Sequence, residues 1–512
     1  MKSLLASFLL ALFVCAGGIA LAEESPASTS DKSAKDEPPP EGKLSVTHHQ
    51  VRMGGSTIAY TATAGTMLMK NDKDEPVALF GFTAYVRDGM DARTRPIVFA
   101  YNGGPGSASA WLHMGILGPR RTVIEDLAVN SHGPFRLVDN EYGVLDVADL
   151  VMIDPVGTGI SRPVGKAEGK DFWGVDQDIE SVSNFIVQYL STYGRWASPK
   201  FVLGESYGGM RTGGVSYALF TKHNVALNGV ILVSPYMDFA SGNAGLRMDD
   251  PYVNFLPTFA ATAWYHHALA NRPDDLLGFL REAEQFAEET YAPVLFKGRR
   301  ASAADRKTVL AGLERYTGVS ARYWDAADLR MDEGHFLQEL ERDKGIVIGR
   351  VDSRYRSGNI NPLAETMLYD PYTSAVAPAI VATFNDYYRN ELKVETDREY
   401  VLSGRLYENW DGRHAQPDLG GYKSPVANTA VDLEQVMTMN PNMKVLIQQG
   451  YFDLAVPYRT VEYILDHMRV PDPVRANVRI EYYEAGHMMY VHPASMQKFR
   501  HDLAGFIAAG SR

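Results

Sequence analysis

The pentapeptide Gly204-Glu205-Ser206-Tyr207-Gly208 places a serine between two glycines, where an apolar strand-like run gives way to a helix-like pattern. Glycines there let the backbone turn sharply enough to lift the hydroxyl clear of a sheet edge. An alcohol becomes a useful nucleophile only when a base removes its proton, and an imidazole base needs an anion to set its tautomer. Two later stretches supply both. Asp453 ends Gly450-Tyr451-Phe452-Asp453 and His487 ends Glu484-Ala485-Gly486-His487, each just past a strand-like run. An isolated aspartate in a loop is usually a cap, and an isolated histidine usually packs. Three such residues at three strand ends, where open α/β sheets build their sites, point instead to acyl transfer. His492 is the competing imidazole, but beside Pro493 it reads as the start of a helix.

A second glycine-rich turn, Asn102-Gly103-Gly104-Pro105-Gly106, lacks the Gly-Lys-Ser/Thr ending of a phosphate loop and carries a proline in its middle. Closely approaching amides there suit the oxyanion that forms during attack on a carbonyl, with the amide of Tyr207 as a second donor. The other histidines form no metal signature. His48-His49 and His266-His267 are adjacent pairs whose side chains diverge, and no H-E-x-x-H occurs. Neither a metal nor a cofactor is expected.

These residues need elements to hold them. Three β-like stretches from Lys43 onward predict an antiparallel meander. Buried-strand runs at 96–101, 149–153, 200–203 and 229–233 then alternate with helical patterns at 175–193 and from Tyr207. This rotation predicts a mostly parallel sheet covered by helices on both faces. It stops near Tyr236 and resumes with strands at 444–448 and 478–483 and helices at 458–467 and 493–508. Between them lie mainly helical patterns at 276–291, 303–316, 333–342 and 375–392, with Ser302 and Asp305 as a capping pair. The expected organisation is a signal peptide at 1–22, a disordered linker at 23–43, a core at 44–237 and 441–512, and a helical insertion at 238–440.

Composition narrows the setting. The chain of 512 residues is 45 % hydrophobic and 22 % charged, ordinary globular values, and its net charge of −12 disfavours a nucleic-acid partner. Lys2, an apolar stretch and Ala20-Leu21-Ala22 form a secretory signal pattern with cleavage after Ala22. After cleavage no stable membrane insertion is expected, and the location is periplasmic or secreted. Cys15 is the only cysteine, so cleavage leaves no thiol and no disulfide, which favours a bacterial exported protein.

In order along the chain, NGGPGSAS, DPVGTGIS, GESYGG, YFDLAVP and EAGHM resemble the serine carboxypeptidase family, over roughly residues 80–240 and 440–512. The resemblance implies an α/β-hydrolase fold with a large helical insertion or cap. It implies a triad of Ser206, Asp453 and His487, and an oxyanion hole from the amides of Gly104 and Tyr207. Asn102, Gly103 and Glu205 would hold the substrate's terminal carboxylate, with one proton shared between Glu205 and that carboxylate, so that binding favours acidic pH. The implied activity is an exported, bacterial-type peptidase that cleaves the last bond of a peptide through an acyl-serine. The same triad could serve an esterase, an acyltransferase or an aminopeptidase. Two departures stand out. Ser107 occupies a position usually held by cysteine, and Ile116 one usually held by a glutamate that would support Glu205.

Overall fold

The first three long strands read directly from their sequence alternation. In the computed structural model, which describes residues 40–128, 132–242 and 248–511, they are β1 (Leu44–Met53), β2 (Ser56–Lys70) and β3 (Pro76–Arg87). The expected signal peptide lies outside the described residues, as does nearly all of the linker. β1 alternates outward and inward side chains along its length, and Gly54 and Gly55, both at positive φ, turn it back into β2.

Four runs with apolar centres follow, β4 (Ile97–Tyr101), β5 (Asp149–Asp154), β6 (Lys200–Glu205) and β7 (Gly229–Val233), every residue of them buried, the charged ends of β5 and β6 included. With β8 (Lys444–Gly450) and β9 (Val478–Tyr483) they complete one sheet in the order β1-β2-β3-β5-β4-β6-β7-β8-β9, with a short strand Arg162–Pro163 also pairing β3. β1 to β3 and the β3–β5 pair are antiparallel, and every pair from β5 to β9 is parallel. This is the mixed, mostly parallel architecture expected from the sequence.

Successive residues of the parallel strands feed opposite cores. Val98, Ala100, Leu203 and Ile231 join one apolar cluster, whereas Ile97, Phe99, Val202 and Leu232 join the other. Helices α1 (Val175–Thr192) and α2 (Gly208–His223) cover the second face. Between β7 and β8 come α3 (Asp250–Tyr265), α4 (Leu276–Phe286), α5 (Ala303–Thr317), α6 (Glu333–Glu339), α7 (Pro371–Asp386) and α8 (Ala430–Met439). After β8 follow α9 (Tyr458–His467) and, after β9, α10 (Pro493–Gly510).

The helices between β7 and β8 do not form a single separate body. α3 to α6 build two apolar clusters of their own. α7, however, sends Val376, Ile380 and Phe384 into the first sheet-face core, and α8 sends Leu433, Val436 and Met437 into the second. The capping pair is present: the Ser302 hydroxyl accepts from the Asp305 amide at 3.0 Å. Where the patterns at 276–291 and 375–392 predict unbroken α-helix, the last turn of each widens to a π-helical form, at Ala287–Tyr291 and Tyr387–Glu391. No helix among the described residues is long and apolar enough to cross a membrane.

Candidate active site

Ser206 follows β6 directly and has φ +62, a left-handed conformation that costs a non-glycine residue about 1–3 kcal/mol. Its neighbours enforce that turn. Its amide donates to the Val233 carbonyl at 3.0 Å, and its carbonyl accepts from Gly209 and Tyr236 at 2.8 and 2.9 Å. A Cβ on Gly204 would lie 2.2 Å from the Gly208 carbonyl oxygen, so only glycine lets the helix start so close to the strand. α2 begins two residues after the serine, which directs its positive end at the hydroxyl.

Asp453 lies three residues beyond β8 and is fully buried. Its Oδ1 accepts from the Ala455 and Val456 amides at 2.9 and 2.8 Å, and its Oδ2 lies 2.8 Å from His487 Nδ1 and 3.3 Å from Gln449 Nε2. A carboxylate so supplied with donors can only accept, so the neutral imidazole carries its proton on Nδ1 and leaves Nε2 able to accept one. Burial alone would lower the His487 pKa; the Asp453 carboxylate, with help from Glu205, raises it above the ordinary value. Asp453 therefore both orients the ring and stabilises its protonated form.

Hydrogen bonds between the loops hold the three elements in register. The Ser234 amide donates to the Gln448 carbonyl, the Ser234 hydroxyl to the His487 carbonyl, and the Phe452 amide to the Ala485 carbonyl. A segment between α6 and α7 joins them: the Leu454 amide donates to the Arg350 carbonyl, His487 to Val351, and Ser353 to Phe452. Phe452 and Leu454, on either side of Asp453, pack into the two clusters built by α3 to α6. Sequence patterning does not mark this strut, because its contacts lie about 100 residues or more from it along the chain.

Ser206, Tyr207 and Gly104 line one cleft of about 620 Å³, with Tyr236, Phe239, Arg350 and Val456 among its other walls. Neither the Gly104 nor the Tyr207 amide donates to any acceptor among the described residues, so both are free to meet an oxyanion in that cleft. Gly103 lies tight against the serine turn. A Cβ there would fall 2.4 Å from the Tyr207 amide nitrogen and 2.6 Å from that of Gly208.

Asn102 and Glu205 hold each other. Asn102 Nδ2 donates to Glu205 Oε1 at 2.8 Å, its Oδ1 accepts from the Leu112 amide at 3.0 Å, and both residues are at most 2 % exposed. The second oxygen of Glu205 accepts from the Tyr490 hydroxyl at 2.8 Å. Burial pushes the Glu205 pKa up to about 7, against the lowering effects of the His487 charge and the Tyr490 and Asn102 hydrogen bonds. Sequence reasoning missed Tyr490. Ile116 leaves Glu205 without a second acid, and the phenol partners it instead. The ring fits because Gly115, one residue before Ile116, leaves room: a Cβ there would lie 2.4 Å from it. His492 stays apart, its Nδ1 2.8 Å from the Ser495 hydroxyl at the start of α10.

The fold and the arrangement at its strand ends define an α/β-hydrolase-fold protein. The family model described as serine carboxypeptidase matches residues 61–282, a span that holds the Asn102 turn and the Ser206 pentapeptide. Serine carboxypeptidase-like 33 of Arabidopsis thaliana is 27 % identical over 170 residues, 30 % of this chain and 32 % of that protein. Serine carboxypeptidase S10 family member 1 of Dictyostelium discoideum is 28 % identical over 165 residues, 32 % and 35 % of the two chains. The alignments thus span about a third of the length of these curated relatives. Among solved structures, a prohormone-processing carboxypeptidase from Saccharomyces cerevisiae superposes with a TM-score of 0.52 at 14 % identity, covering 87 % of this chain and 91 % of that one, a likeness of fold. The matched segment is thus similar to serine carboxypeptidases, and the fold agrees with one of them. Nothing among these relatives singles out a bacterial branch.

Proposed function

We propose that this chain is a serine carboxypeptidase that removes the last residue of peptides through an acyl-Ser206 intermediate. The observation that carries the proposal is the Asp453–His487 hydrogen bond at the strand ends, together with a left-handed Ser206 whose cleft is lined by the residues of two undonated amides. In this reading His487 Nε2 takes the Ser206 proton as Oγ attacks the carbonyl carbon. The resulting oxyanion accepts from the Gly104 and Tyr207 amides. Collapse breaks the C–N bond, and His487 returns the proton to the leaving amine. Water then attacks the acyl-serine with the same base, releasing the shortened peptide and restoring the hydroxyl.

The family likeness adds Asn102, Gly103 and Glu205 as the site for the substrate's terminal carboxylate. A Glu205 carboxyl that stays protonated up to about pH 7 has a proton to share with such a ligand, which supports this role and binding on the acidic side. The signal pattern of residues 1–22 supports export, with cleavage after Ala22 and a periplasmic or secreted location.

Two peptides and one probe test the proposal. A fluorophosphonate should label the wild type and spare Ser206→Ala, whose peptide hydrolysis should fall by roughly 10⁴-fold or more. A peptide blocked at its amino end should lose its last residue, and one amidated at its carboxyl end should resist. Cleavage that needs a free amino end would instead assign an aminopeptidase. Labelling with ester cleavage but no peptide release would assign an esterase or acyltransferase.

A further inference from the structure

Arg350 enters the cleft from the strut that joins the Asp453 and His487 loops. Its backbone is committed, the amide lying 3.3 Å from Asp370 Oδ1 and the carbonyl accepting from Leu454. Its side chain is not. The side chain is 44 % exposed and makes no hydrogen bond among the described residues; its one ion pair within 4 Å there is with Glu333 Oε1, 3.6 Å from Nε, and its charge also reaches Asp370. A planar fork of five N–H donors facing a cleft, with one carboxylate beyond hydrogen-bond reach, has capacity for a second carboxylate. Among the described residues that line the cleft with Ser206, Arg350 is also the sole basic one, and its positive charge is close enough to oppose protonation of His487. Of the two acids beside it, Asp332 is already engaged, its Oδ1 accepting from the His335 amide at 2.9 Å and lying 2.7 Å from His335 Nδ1.

We propose that Arg350 is a specificity-determining residue that receives the carboxylate of an acidic side chain, glutamate or aspartate, on a residue flanking the bond cut at Ser206. The inference rests on the carboxypeptidase reading and names its substrate class. The terminal carboxylate is assigned to the buried Asn102–Glu205 pair, so the partner left for Arg350 is a side chain held in the open cleft. In a chain of net charge −12, a local cation offsets repulsion that an acidic peptide meets on approaching the serine.

The test compares peptides with glutamate or glutamine at each of the two positions flanking the cut, each in free-acid and amidated form, on the wild type, Arg350→Gln and Arg350→Lys. At one position, wild-type kcat/KM should favour glutamate by about tenfold, the worth of a charge-assisted hydrogen bond at a partly exposed site. The preference should appear in KM rather than kcat, collapse in Arg350→Gln, and return in part in Arg350→Lys. Because no side-chain hydrogen bond is lost, the substitution should leave the melting temperature unchanged. Equal use of glutamate and glutamine by the wild type, or a preference for lysine or arginine, overturns the inference and leaves the carboxypeptidase reading standing. A loss in Arg350→Gln that follows terminal amidation rather than the side chain also overturns it, and makes Arg350 the terminal clamp. A wild type that releases no terminal residue from any of these peptides overturns both readings together.

Discussion

Replacing Glu205 with glutamine should make the protein more stable at alkaline pH relative to the wild type, and the size of the effect follows from burial. Inside the fold the Glu205 pKa rises from an ordinary 4.5 to about 7. Each pH unit of such a difference is worth 1.36 kcal/mol, so ionising this side chain costs the folded state about 3 kcal/mol more than the unfolded chain. Because the folded value is the higher one, the favourable contribution is complete below about pH 4.5, declines as pH rises towards 7 and is gone above it. At 1 % exposure, solvent screening does not reduce the figure. Between pH 5 and pH 8 the wild type should therefore lose about 2–3 kcal/mol that Glu205→Gln keeps. The amide can still accept from Asn102 and donate to the Tyr490 oxygen, so the contacts survive the change. Guanidinium unfolding of both proteins at pH 5, 6, 7 and 8 measures the difference. A gap between them that stays constant within about 0.5 kcal/mol over that range would refute the argument that desolvation dominates at Glu205.

His414 offers a second stability test. Burial alone would lower its pKa, but Asp176 at 2.7 Å and Asp432 at 2.9 Å lift it to about 9, which makes it a buried cation that ties the 411–424 segment to α1 and α8. Its contribution is complete below about pH 6.5 and is lost as pH rises through 9. His414→Gln should thus cost about 3 kcal/mol at pH 6, leaving Asp432 buried without a charged partner, and markedly less at pH 10 in the same unfolding assay. Gly103→Ala probes the oxyanion geometry. With the new methyl 2.4 Å from the Tyr207 amide nitrogen, backbone must shift by an ångström or so, and kcat should fall by about 10²-fold while circular dichroism stays native. Unchanged turnover would show that the Tyr207 amide takes no part.

Strand and helix identities on both sides of the long insertion were legible because each is a local pattern. The 458–467 helix and the 229–233 and 478–483 strands fall where their apolar spacing predicts, and the two cores arise from simple alternation along β4 to β7. The strand ends that carry Ser206, Asp453 and His487 were legible in the same way, and the structure brings Asp453 and His487 within 2.8 Å of each other. Inside the insertion the pattern carried less. α3 escaped notice because its buried side chains surround it and Pro257 interrupts its repeat, while α7 and α8 give no sign in sequence that they leave the neighbouring helices to cover the sheet.

What residue order settles is therefore whatever a single element can encode: its type, its buried face and where along the chain it ends. Tertiary structure decided the rest. That Tyr490 partners Glu205, that the 350–353 strut binds the loops of Asp453 and His487, and that Arg350 and Ser206 line one cleft all depend on bringing distant segments together. Their energies depend on which groups share a buried volume, and no local period records that.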